Sequence, residues 1–467
     1  MSRCRGFSVA GATAAVFLVA VAYSKWPSRD AATTAPARAL VPDFSVPHLA
    51  SLGGPSLVPD FSTSDSSSES AARPEAFINC GNWQESYMTF HRRTLAGELP
   101  PRYLVSVAVE AGLADRLVGT ISEFYLALLS GRAFQITNAG QSTPRMESAY
   151  DAPYVNWTRG DDDPAILTEH LLKAYKGERQ YATSGAVDTA KYWSMFLVNQ
   201  LKGNDFYATQ DLREVPEGHA DAETVFVSSN RGRVFQLFDN PYHKEQLYMM
   251  GLRPDTAFAC AFHFLFRPNS AVEEAVKQEV ERLSSTDDTV LKIAVQIRMG
   301  DSVFDPERDQ KRAENTLKAS EGFVECAKQI AASRRSPKTS KVLWYVASDS
   351  EFLRAHLLSE YGADTIVTNS AKSIHTDCSH IMAGTNCTDD ALASALVSAA
   401  GTILAMSMTD YQVVTQKSGF GRVAAWLSLR WHSVYAIDPH DTSGEEHQCG
   451  TADYELLEAS AARWSGI

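Results

Sequence analysis

Chemistry is most concentrated in the stretch Ala294-Val-Gln-Ile-Arg-Met-Gly-Asp301, an apolar run that ends on Arg298. A guanidinium at the end of a buried strand is costly unless an anion meets it, and its planar fork suits a diphosphate better than an ammonium does. Gly300 would let backbone approach that anion, and Asp301 would orient the guanidinium or cap the next segment. A ligand-free Arg298–Asp301 ion pair is the other reading of the same residues. A second candidate is Ser418-Gly-Phe-Gly421, which follows the apolar run Tyr411–Thr415 and opens a helical pattern. A hydroxyl, glycine-exposed amides and a helix N-terminus together cradle a phosphate without a basic patch, although an ordinary helix cap has the same sequence signature. The Ser348-Asp349-Ser350 turn offers a carboxylate for a nucleobase or ribose, or simply a cap for the helix after it.

Further toward the N-terminus, Ala111-Gly-Leu-Ala-Asp-Arg-Leu117 joins a strand pattern to a helix pattern. Arg116 falls in the first helical turn, where the helix dipole disfavours a cation, so either an anionic partner or plain solvent exposure must account for it. Two other clusters invite metal readings. Asp161-Asp-Asp163 would suit a divalent cation but sits in a turn-rich stretch that reads as a solvated acidic loop. His375, Cys378 and His380 suggest zinc, against which stands a Cys378–Cys387 disulfide in an oxidising compartment.

These residues need elements to position them. Tyr103–Val109 and Ala133–Ile136 read as strands around a helix with Leu117, Ile121, Phe124 and Leu128 at helical spacing. Leu291–Ile297, Val342–Ala347 and Tyr411–Thr415 read as further buried strands, with helices over Glu351–Tyr361 and Phe420–Leu429. Alternating strands and helices predict an α/β fold with parallel sheets, in two units that divide between 270 and 288. Ligands of such sheets bind beyond the carboxyl ends of the strands, which is where Arg298, Asp349 and Ser418 fall.

The chain of 467 residues carries a formal charge of -13, which excludes a nucleic-acid binder because phosphate backbones demand a basic surface. Its hydrophobic content of 44% is that of a folded protein. Gly6–Tyr23 is an uncharged, largely apolar run behind Arg3 and Arg5, long enough to span a bilayer with the N-terminus in the cytosol. A cleaved signal peptide is the alternative, with Ala22-Tyr23-Ser24 near its cleavage point. Both deliver the chain to the secretory route. A Ser/Pro/Ala-rich stem follows, with Leu40–Ser45 and Leu57–Ser62 repeating LVPDFS. The organisation expected is a cytosolic tail at 1–5, an anchor at 6–24, a stem at 25–75, folded units at 76–280 and 281–440, and an extension at 441–467. Of seven cysteines, the six after Cys4 permit fifteen pairings into three disulfides, of which Cys378–Cys387 is singled out. Asn156-Trp-Thr158 and Asn386-Cys-Thr388 are candidate glycosylation sequons.

Three blocks resemble the fucosyltransferase superfamily, which groups plant xyloglucan, rhizobial nodulation, core α1,6 and protein O-fucosyltransferases. They are Gly112–Ile136 (GLADRLVGTISEFYLALLSGRAFQI), the strand ending at Asp301, and Met408–Ala424 (MTDYQVVTQKSGFGRVA), in the family's order and closest to its plant-type branch. The resemblance implies a GT-B fold, in which two Rossmann-like domains face each other across a cleft. It also implies an inverting, metal-independent transfer of fucose from GDP-fucose to a glycan acceptor, needing no cofactor, by a single-pass type II Golgi membrane protein with a lumenal head. By matching position, Arg298 with Gly300 and Asp301 would meet the pyrophosphate, Asp349 the nucleoside, and Ser418, Gly419, Phe420 and Gly421 the β-phosphate. Gly112, Asp115 and Arg116 would line the acceptor side. The chain departs from the pattern at Ala114, Asp115 and Gln296, where glycine, asparagine and histidine are common. Other readings are a metal-dependent transferase using another nucleotide sugar, and a non-catalytic glycan-binding protein on the same fold.

Overall fold

A computed structural model describes residues 80–138, 143–160, 192–197, 203–215, 221–284, 289–369, 371, 376, 388–430, 432–439, 448–451 and 454–455. The anchor, the stem, Asp161–Asp163, His375, Cys378, His380, Asn386 and Cys387 lie outside them.

The first helix, α1 (Gln84–Leu95), leads into β1 (Tyr103–Val107), α2 (Leu113–Leu129) and β2 (Ala133–Thr137). After the short β3 (Tyr150–Asp151) come β4 (Tyr192–Phe196) and β5 (Thr224–Ser228). These build a parallel four-stranded sheet in the order β2-β1-β5-β4. Helix α3 (Ala257–Leu265) and β6 (Arg267–Pro268), which pairs with β3, complete this half.

The second sheet begins after the short helices Ser270–Ala275 and Lys277–Leu283. It contains β7 (Val290–Ile297), β8 (Lys341–Ser348), β9 (Ile366–Thr368), β10 (Tyr411–Thr415) and β11 (Val434–Ile437) in the order β11-β10-β7-β8-β9, again all parallel. Helices α4 (Ala313–Arg334), α5 (Glu351–Tyr361), α6 (Asp389–Ser407) and α7 (Gly419–Ser428) provide its crossovers. The expected α/β architecture with parallel sheets is therefore present.

Strand periodicity sorts the second sheet into two faces. Leu291, Ile293, Val295 and Ile297 join Phe323 and Ile330 of α4 in one core. Ala294, between them, joins a second core with α6, α7 and the first half of the chain, in which Trp426 of α7 meets Phe258 of α3 at 4.9 Å between ring centroids. Helix α2 carries Phe124 into a cluster with Trp83, Tyr87, Phe134 and Phe264. Among the described residues two disulfides join Cys80 to Cys260 and Cys326 to Cys449. Among the described residues one helix, α6, is long and apolar enough to cross a membrane, and its Leu392, Leu396, Ile403 and Met406 are buried in the protein instead.

Candidate functional site

In a parallel sheet a crevice opens where consecutive connections leave to opposite sides. In the first sheet that point falls between β1 and β5, and in the second between β7 and β10. The segments following these four strands, with the one following β8, line a single cleft of about 360 Å³. Gly112 to Asp115 follow β1, Arg231 follows β5, Arg298 follows β7, Ser348 ends β8 and Asp349 follows it, and Lys417 to Phe420 follow β10. Ala395, Ser398, Ala399 and Thr402 of α6 supply a wall of small side chains.

Arg298 is held from three directions. Its backbone N–H donates to Thr415 Oγ1 at 2.9 Å, across the crevice to β10. One guanidinium nitrogen lies 3.2 Å from Asp349 Oδ2, and the guanidinium carbon sits 5.3 Å from the Phe304 ring centroid. The Asp349 carboxylate also accepts the N–H of Met299 at 2.8 Å and of Gly300 at 3.0 Å. Burial nevertheless outweighs Arg298 and the amides and holds the Asp349 carboxyl above the ordinary carboxylate range. The arginine side chain is 34% exposed and its carboxylate partner 5%, so a ligand entering the cleft meets the cation far more than the anion.

Asp349 is an ionic partner of Arg298, delivered across the neighbouring strand end by the bend after β8; Asp301 begins the single turn Asp301–Phe304, and its side chain lies outside what the structure describes. Gly300 has φ +95°, a conformation that L side chains rarely adopt, while a Cβ there would meet nothing within 4 Å. Glycine is thus required by the backbone angle, and its amide already serves Asp349.

At the other side of the crevice Ser418 precedes α7 without capping it through its side chain. Its Oγ accepts a hydrogen bond from Gln296 Nε2 at 3.2 Å, and Gln296 Oε1 accepts the N–H of Thr415 at 3.1 Å. The glutamine therefore ties the turn after β10 to β7, and the first-turn amides of α7 receive no bond from the Ser418 side chain. Gly421 has a packing role: a Cβ would come within 2.7 Å of Gln296 Oε1 and 2.8 Å of Val414 Cβ. Gly419 and Phe420 line the cleft and Gly421 lies behind it.

On the first sheet's side, Gly112 is the N-cap residue of α2 and Asp115 lies in its first turn. Arg116 is not on the cleft wall. Adjacent helical positions point about 100° apart, and Arg116 turns inward, where its Nη2 donates to Pro144 O at 2.7 Å. Burial lowers its pKa to about 10, countered by Glu147 and Tyr150. The cation that does line this side is Arg231, which the sequence reading missed. Its signal was present: the β-branched Thr224–Ser228 followed by Ser-Asn-Arg-Gly-Arg repeats the strand-then-arginine pattern around Arg298. Gly119 fixes this loop against α2, since a Cβ would lie 2.0 Å from Ser229 O. Ser122 Oγ also accepts the Arg233 N–H at 2.7 Å. Arg231 is thereby anchored to the helix that carries Asp115.

Arg231, Arg298 and Lys417 thus face one cleft with Asp115 and Asp349, an excess of cations in a chain whose total charge is -13. With the amides of α7 the arrangement suits a ligand bearing several negative charges. Away from the cleft, Asn156 is exposed.

Among solved structures the chain is similar to a mutant of Arabidopsis thaliana FUT1 in complex with GDP, at 18% identity over 76% of this chain and 75% of that one, with a TM-score of 0.49. It is also similar to the NodZ alpha-1,6-fucosyltransferase soaked with GDP-fucose, at 14% identity over 74% and 97% of the two chains and a TM-score of 0.41. For NodZ from Bradyrhizobium the values are 13%, 75%, 98% and 0.42. No protein-family model matches the chain, and no curated protein does.

Proposed function

We propose that the chain is an inverting fucosyltransferase of the GT-B type, taking fucose from GDP-fucose to a glycan hydroxyl. The observation that carries the reading is the pairing, across the β7/β10 crevice, of a braced but accessible Arg298 with the N-terminus of α7. As the sugar–phosphate bond breaks, negative charge grows on the diphosphate, and donors already fixed in place stabilise it without reorganising. Arg298, the Ser418 hydroxyl and the Gly419 to Gly421 amides fill that role, with Lys417 at the rim. The three sequence blocks resembling fucosyltransferases bear on the same cleft and name the nucleotide as GDP. Asp349 acts on the donor through Arg298, because its oxygens are engaged by the arginine and two amides.

The acceptor then enters from the side of β1 and β5, where Gly112, Asp115 and Arg231 stand. Charge neutralisation by these cations and amides makes a divalent metal unnecessary. The reading includes a single-pass type II anchor over the apolar run 6–24 with the head in the Golgi lumen, and Asn156 and Asn386 as glycan sites. Nucleotide release from a panel of GDP- and UDP-sugars by the purified chain tests the reading. GDP release from GDP-fucose above all other donors is expected. Preference for a UDP-sugar with manganese, or glycan binding without turnover of any donor, would replace it.

A further inference from the structure

The cleft contains two carboxylates in opposite states. Both oxygens of Asp349 are engaged, whereas among the described residues no hydrogen bond or salt bridge reaches the half-buried carboxylate of Asp115. Asp115 belongs to the first sheet's side, and the groups suited to a leaving diphosphate belong to the second. An inverting displacement needs its nucleophile on the side away from the leaving group, which is the side on which Asp115 stands.

We propose that Asp115 is the general base of the transfer, receiving the proton of the attacking hydroxyl inside the cleft. The proposal rests on the fucosyl-transfer reading. The acceptor oxygen forms the bond to the anomeric carbon, and the bond from that carbon to the β-phosphate oxygen breaks with its electron pair leaving on GDP. The acceptor proton passes to the Asp115 carboxylate and from there to water. Two charged groups act on Asp115: Arg231 from the turn after β5 and Arg298 from the end of β7. Asp349 and Lys417 line the same cleft. Burial prevails over both arginines and raises the Asp115 carboxyl above the usual range, which strengthens it as a base. A folded-state pKa raised in this way sets an ascending limb, with activity lost as pH falls through it and the carboxylate takes up its proton.

The test needs no knowledge of the acceptor, because water can serve as one and azide can serve as a nucleophile that carries no proton to remove. The full chain and its Asp115→Asn variant are compared for GDP release from GDP-fucose with and without azide, across pH, alongside GDP affinity by calorimetry. In Asp115→Asn, hydrolysis should fall by about 100-fold or more, the ascending limb should disappear, and GDP affinity should hold. Azide should restore GDP release with formation of fucosyl azide. Parental hydrolysis and an unchanged pH limb overturn the proposal, as does an equal loss with azide and with water, which is the result a positioning role gives. A parent chain that neither binds nor cleaves GDP-fucose overturns the reading beneath it, so the two failures differ.

Discussion

The two sheets bring the same topological feature to the cleft but furnish it differently. At the β7/β10 crevice nearly every polar group is braced: Asp349 holds Arg298 and two amides, Thr415 holds the Arg298 N–H, and Gln296 bridges Ser418 and Thr415. At the β1/β5 crevice the bracing is mainly backbone packing, through Gly119 and Ser122, and the carboxylate of Asp115 is left open. A site that must stabilise developing charge gains from donors fixed beforehand. One that must accept a proton and admit a varied acceptor needs an unengaged group, and substrate choice then resides in side chains grafted on the shared topology.

The sharpest way to break this contrast is to remove the braced cation. Arg298→Ala should lose about 100-fold or more in transfer from GDP-fucose while keeping its melting temperature, and Arg298→Lys should recover little because an ammonium cannot reproduce the fork. Near-parental turnover would make the arginine a structural partner of Asp349 only. Next in size is Asp349→Asn, which deprives the Met299 and Gly300 amides of their charged acceptor and frees Arg298. We expect it to destabilise the fold by about 1–3 kcal/mol in urea unfolding and to lower turnover as well. A variant that loses turnover at parental stability would instead place Asp349 in direct contact with the donor.

Ser418→Ala should do less. The α7 amides remain, so a loss of about 5- to 10-fold, equivalent to roughly 1 kcal/mol for one neutral hydrogen bond, is expected in steady-state kinetics. A loss as large as that of Arg298→Ala would show that the hydroxyl, and not the helix terminus, holds the phosphate. The smallest expected effect is that of a chelator, which should leave turnover unchanged. Inhibition reversed by manganese would move the charge neutralisation from Arg298 and α7 to a metal.

The elements that carry the second sheet's site were legible because their strands are buried on both faces and read as apolar runs: Tyr411–Thr415 and Glu351–Tyr361 were bounded as observed. Four strands of the two parallel sheets went unread. Thr224–Ser228 and Tyr192–Phe196 follow long stretches with turn residues and no clear period, and Ile366–Thr368 and Val434–Ile437 are too short to show one. With β5 unread, the arginine beyond its end had no place in the site.

By itself the sequence determined the alternation of strand and helix, and hence parallel sheets with strand ends that carry Arg298, Asp349 and Ser418, because periodicity and glycine turns are local properties. Partnership was decided only in three dimensions. Asp349 lies far along the chain from Arg298 and reaches it because β7 and β8 are paired in register up to Ile297 and Ser348. Neighbouring Asp115 and Arg116 were assigned together to the cleft, and the helix turn between them sends one into it and the other to Pro144. Sequence adjacency carries no direction until a helix has packed, and the approach of Ser229 to Gly119 sets how closely the loop after β5 lies on α2.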